Sequence, residues 1–150
     1  VQWAVAQGIT NGTSDTTFSP DQTCTRAQII TFLWRAAGCP EPAISNPFDD
    51  VAAGSYYEKA VTWAAEQGMV SGTSCAPDEA CTRLMAAEFM WKQAGNPLAH
   101  SAGVSDVSSP AVDWAVAQGI TNGTGENTFG PDEACTRAQI ATFLFRGFAE

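Results

Sequence analysis

The chain has 150 residues, 45% of them hydrophobic, which allows one compact core or a few small repeats and excludes two large domains. Its formal net charge is −9, with seven basic residues against sixteen acidic ones, so general nucleic-acid binding is disfavoured. No apolar run approaches the roughly 20 residues that span a bilayer, and the single histidine, His100, gives a Ser-His-Asp centre or a His-rich metal site nothing to build on.

Taken from its start, the chain opens on Val1-Gln2-Trp3, which read as the middle of a helix; no leader is legible, and the chain is taken as a piece of something longer. A first short helix ends at Gly8, and a tight loop follows at Thr10-Asn11-Gly12-Thr13. Phe18-Ser19-Pro20-Asp21 then leads into a second helix. Thr25 is its N-cap, Gln28 completes a capping box, and Cys24 with Ile29 forms a hydrophobic staple. Ile29, Ile30, Phe32 and Leu33 give this helix its buried side, and Arg35 is well placed for the dipole at its end.

The same grammar returns twice. Trp3 to Arg35 realigns without a gap on Trp114 to Arg146, with 25 of 33 positions identical. Between them lies a diverged copy with Trp63, Gly68, Gly72 and Cys81-Thr82-Arg83, three residues shorter in the loop before Cys81. Phe48-Asp49-Asp50-Val51 and Val104-Ser105-Asp106-Val107 open the second and third copies. The repeats are thus expected at 1–38, 48–95 and 104–150, together one compact unit. A unit this small cannot bury its own apolar face, and the Pro-containing linkers after Cys39 and Asn96 are short. The expected fold is mostly α, with approximate threefold symmetry, the three longer second helices central and the shorter helices outside.

Arg26, Arg83 and Arg137 each follow an N-cap threonine, at a helix end whose positive partial charge disfavours a cation. A guanidinium beside a helix N-terminus makes a good anion receptor. The plainer alternative is that each arginine pairs with a carboxylate of a neighbouring repeat, Asp50 or Asp106.

The ordered pattern Phe-x-Asp-Val, Ala-Val-x-Trp-Ala, Gly-Ile-x-x-Gly, Phe-x-Pro and Thr-Arg-Ala-Gln resembles the S-layer homology domain, in three tandem copies over nearly the whole chain. The resemblance implies a pseudo-threefold, three-pronged spindle of helical repeats around a central three-helix bundle. It implies a non-catalytic module on the bacterial cell surface that binds an acidic, pyruvylated secondary cell-wall polysaccharide in grooves between repeats. By the same resemblance the ligand-binding residues are Arg26, Arg83 and Arg137, the loop glycines Gly12, Gly72 and Gly123, and Asp50 and Asp106. No cofactor, metal, nucleic acid or membrane insertion is implied. The alternative reading is a protein-interaction module, or self-association as part of a larger surface protein.

Repeat 2 departs from the pattern: Thr82-Arg83-Leu84-Met85 loses the capping box, which makes the Arg83 groove the expected weak one. Trp3, Trp63 and Trp114 recur at one helical position and are read as core. Cys24, Cys81 and Cys135 precede the caps and are read as small buried apolar residues spread over the three units. Cys75 stands where the Phe of Phe-x-Pro belongs, six residues before Cys81, and a Cys75–Cys81 disulfide is expected to replace that plug. Acidic residues are plentiful, but none recurs in an apolar setting that would raise its pKa, so no glycosidase pair is expected.

Overall fold

A computed structural model describes residues 2–9, 19, 22–121 and 128–148. Six α-helices lie among them: α1 (Gln2–Ala6), α2 (Arg26–Ala36), α3 (Glu58–Glu66), α4 (Arg83–Gln93), α5 (Pro110–Ala117) and α6 (Arg137–Phe148). Extended pairing among the described residues is confined to three isolated bridges, so the fold is mostly α, as expected.

Local chemistry sets the helix ends. In α2 the Thr25 hydroxyl accepts from the Gln28 amide, and Gln28 Oε1 accepts from the Thr25 amide at 2.9 Å. Thr136 and Gln139 repeat this reciprocal cap at α6. At α4 only half remains: Thr82 still caps the Met85 amide, and the thioether returns nothing. The three short helices end alike, Gly8, Gly68 and Gly119 taking φ of 72°, 77° and 73° while the next residue's amide reaches five residues back. Trp34 and Trp91 donate their indole N–H to the carbonyls of Pro40 and Pro97, which pins each linker to the helix it leaves.

The three repeats close on one another. The amide of Cys24 donates to the carbonyl of Cys135, that of Cys135 to Cys81, and that of Cys81 to Cys24, all at 2.8–2.9 Å. A second ring surrounds the first: Arg26 donates its amide to Glu79, Arg83 to Glu133 and Arg137 to Gln22, each at 2.8 Å. These bonds satisfy first-turn amides that an isolated helix would leave open. They also add to the expectation that these cysteines are small buried residues, one in each repeat. The three are buried, and their backbones meet in one closed ring.

Helix packing is interleaved. α3 packs on α2 and α5 on α4, so each short helix rests on the long helix of the preceding repeat; α1 rests on α6 and closes the cycle. At the centre, α2 touches both α4 and α6. One hydrophobic core runs through all three repeats, from Ile29, Ile30 and Leu33 through Val61 and Phe89 to Val112, Ile140 and Leu144.

Candidate functional site

The repeated arginines sit at the junctions between repeats, each reaching into the next one. Arg26 donates Nε to the carbonyl of Cys75 at 3.0 Å, and Arg83 donates Nε to the carbonyl of Phe129 at 2.9 Å. Each guanidinium also lies over an aromatic ring of the next long helix: Arg26 over Phe89 at 5.2 Å, Arg83 over Phe143 at 5.2 Å and Arg137 over Phe32 at 5.6 Å. That Phe recurs six residues after each arginine, a regularity visible in the sequence but read there only as core.

Asp50 and Asp106 do not pair with the arginines. Asp50 accepts from the amides of Cys75 and Ala76 and from the Ser74 hydroxyl, at 2.8–2.9 Å. Asp106 accepts from the amides of Phe129 and Gly130. These backbone hydrogen bonds hold both carboxyls below their ordinary pKa. The same loop residue is therefore gripped twice: its N–H by the aspartate of its own repeat, its C=O by the arginine of the preceding one. For Arg26 and Arg83 a backbone tie thus stands where the carboxylate alternative placed Asp50 or Asp106, while Lys59 and Glu41 form an ion pair on the surface.

The surroundings of Arg83 differ from those of a purely structural cation. It is 3% exposed, its Nη2 donates to the Thr121 hydroxyl at 3.2 Å, and it also lies over the Phe129 ring. Burial pulls its pKa down, while the nearby charges of Glu133 and Asp106 act the other way without forming an ion pair. Yet it borders an open groove of about 320 Å³ lined also by Thr121, Gln139, Thr142, Phe143 and Arg146. A desolvated cation with neutral partners, next to a polar groove, offers an anion more than water does. At the groove's edge Arg146 donates Nη1 to the Ile120 carbonyl, as Arg35 does to Ile9. These late-helix cations thus reach carbonyls of their own repeat, where the sequence suggested a role at the helix dipole.

The remaining expected site residues fall as follows. Gly12 and Gly123 lie outside the described residues. Gly72 is exposed with φ 86° and open space around it, so the backbone turn, not crowding, requires glycine there. The side-chain interactions of Arg137 are described only in part, through Phe32. Cys75 and Cys81 are separate buried thiols and not a disulfide. The physical reason is that they belong to different frames: Cys75 is fixed between Asp50 and Arg26, Cys81 in the central ring. Burial pushes Cys24 and Cys75 up to about 11 and Cys135 to about 12, and raises Cys81 further. Among the described residues no group of three or more His, Cys, Asp or Glu could hold a metal ion, and no helix is long and apolar enough to cross a membrane.

Comparison with known proteins gives three matches to the model of the S-layer homology domain, at residues 1–30, 47–85 and 101–141. Over 97% of its length the chain is 26% identical to an amylopullulanase of Thermoanaerobacterium thermosulfurigenes, of which that stretch makes up 8%. It is 31% identical, over 92% of its length, to an endoglucanase of Bacillus sp. (strain KSM-635), covering 16% of that protein. Identity to the surface-layer 125 kDa protein of Lysinibacillus sphaericus is 29% over 97% of the chain and 13% of the relative. The chain thus spans less than a fifth of the length of these relatives.

Proposed function

Because the chain belongs to the S-layer homology domain family, we propose that it is a non-catalytic module anchoring a larger surface protein to the bacterial cell wall, outside the cell. Its likeness to short stretches of both polysaccharide-degrading enzymes and a surface-layer protein supports a portable anchor rather than part of any one activity. In this reading the cysteine ring marks the axis of a three-pronged spindle, and the repeats at 1–38, 48–95 and 104–150 share it.

The ligand is an acidic secondary cell-wall polysaccharide, with a pyruvate ketal as its acid. The observation that carries this is Arg83: a buried guanidinium without a carboxylate partner, bordering a groove that also offers Thr121, Gln139 and Arg146. A carboxylate entering there meets a charge-assisted donor, worth about 1.5 to 3 kcal/mol, while hydroxyl and amide groups suit the sugar. Asp50 and Asp106 act at one remove, by shaping the loops that the arginines grip.

Pull-down against purified wall polysaccharide, with and without its acidic substituents, tests the reading. Retention on the intact polymer and loss after removal of the acid is the expected result. Equal retention on both would overturn the acidic ligand, and no retention on either would overturn the anchor.

A further inference from the structure

We infer that Met85 closes the Arg26 groove, so that the lesion in repeat 2 disables the site of repeat 1's arginine and leaves that of Arg83 intact. This rests on the glycan-anchor reading and assigns which junction serves it. The argument begins with the interleaving: an arginine is furnished with its loop and its helix face by the following repeat, Arg83 by Phe129 and Phe143, Arg26 by Cys75 and Phe89. Substitutions in repeat 2 therefore surround Arg26.

Three of them change the chemistry of that junction. Thr121, which binds Arg83, is matched in repeat 2 by Val70, which has no hydroxyl to offer Arg26. Gln139, a groove-lining residue, is matched by Met85. Gln139 is held back by its own cap, whereas Met85 has no such bond, and its Sδ lies 3.5 Å from Arg26 Nη1. Thr142, at the open face of the Arg83 groove, is matched by Glu88, which sets a negative charge where an anion would enter. A thioether on the guanidinium, an apolar wall and a carboxylate together reject an acidic sugar, while Arg26 keeps its tie to Cys75.

Side-chain Nε–H resonances of the arginines, followed by NMR, read each junction separately. The probe is a methyl glycoside carrying a pyruvate ketal, with its methyl ester as the uncharged control. The acid is expected to shift Arg83 while Arg26 stays still up to at least a tenfold higher concentration; the ester should shift neither. In the variant Val70→Thr, Met85→Gln, Glu88→Thr, Arg26 should respond within about tenfold of Arg83. Met85→Gln alone, which restores the capping box, should give a smaller response in the same direction and serves if the triple variant does not fold. Arg26 responding together with Arg83 in the unaltered chain, or staying silent in both variants, overturns the inference. A folded protein in which Arg83 itself ignores the acid overturns the ligand reading instead.

Discussion

The junction between repeats 1 and 2 and the junction between repeats 2 and 3 use the same backbone device with different surroundings. In each, an arginine takes the carbonyl and an aspartate the N–H of one loop residue. At Arg83 that residue is Phe129, the guanidinium lies between two aromatic rings, and a threonine hydroxyl completes its partners. At Arg26 it is Cys75, the guanidinium lies over the Phe89 ring, Val70 stands where the threonine would be, and a methionine sulfur lies against Nη1. The difference separates two parts of one repeated geometry: the backbone grip that joins repeats is common to both junctions, whereas the polar groove proposed to hold a ligand surrounds Arg83.

The largest effect that would sharpen this contrast is in thiol chemistry. At pH 8 the exposed Cys39 should alkylate first, while Cys75, raised to about 11 by burial, should react at least about a hundredfold more slowly. Mass spectrometry of timed alkylation checks this, and in denaturant all five should label. Three labels under denaturing, non-reducing conditions would restore a disulfide.

Next in size is the cost of removing each tie. Arg83→Ala removes the side-chain donor to the Phe129 carbonyl and both ring contacts from a buried place and should cost about 3 kcal/mol of unfolding free energy. Arg26→Ala, half-buried and with one strong bond, should cost about half as much. Urea titration measures both, and equal losses would break the comparison. Smaller still is a pair of opposite substitutions at one backbone position. Ala76 (φ 52°) and Gly130 (φ 73°) are equivalent, each with its N–H held by the repeat's aspartate. Ala76→Gly should stabilise by about 1 kcal/mol and Gly130→Ala should cost about the same; identical signs would mean the loops differ in more than their side chains.

The smallest effect concerns acid. Asp50 and Asp106 have pKa values lowered by folding, so their contribution is complete above the ordinary carboxylate range near 4 and fades as pH falls through the lowered values. Melting temperature should therefore drop below about pH 4, and Asp106→Asn should flatten that drop while leaving the Asp50 loop to respond.

Much of this architecture is legible in one dimension because it is local. A capping box spans four residues, a C′ glycine marks the end of each short helix, and a gapless match of Trp3–Arg35 to Trp114–Arg146 reveals the repeat. The arginines also stand out in the sequence, since a cation at a helix start is unusual in so acidic a chain. Which repeat furnishes the surroundings of each arginine does not. A broken motif at Thr82-Arg83-Leu84-Met85 points to Arg83 only if each repeat builds its own site.

The sequence by itself determined the helices, their ends and the threefold repetition, because hydrogen bonds and apolar periodicity within a few residues decide those. Only the tertiary structure decided that short helices rest on the preceding repeat and that Met85 faces Arg26 across 59 positions of chain. Near-identical repeats offer near-identical surfaces, so one-dimensional pattern cannot say which copy's helix meets which copy's arginine. That choice falls to the closed backbone ring through Cys24, Cys81 and Cys135, which joins residues remote in sequence and sets each repeat against its neighbour.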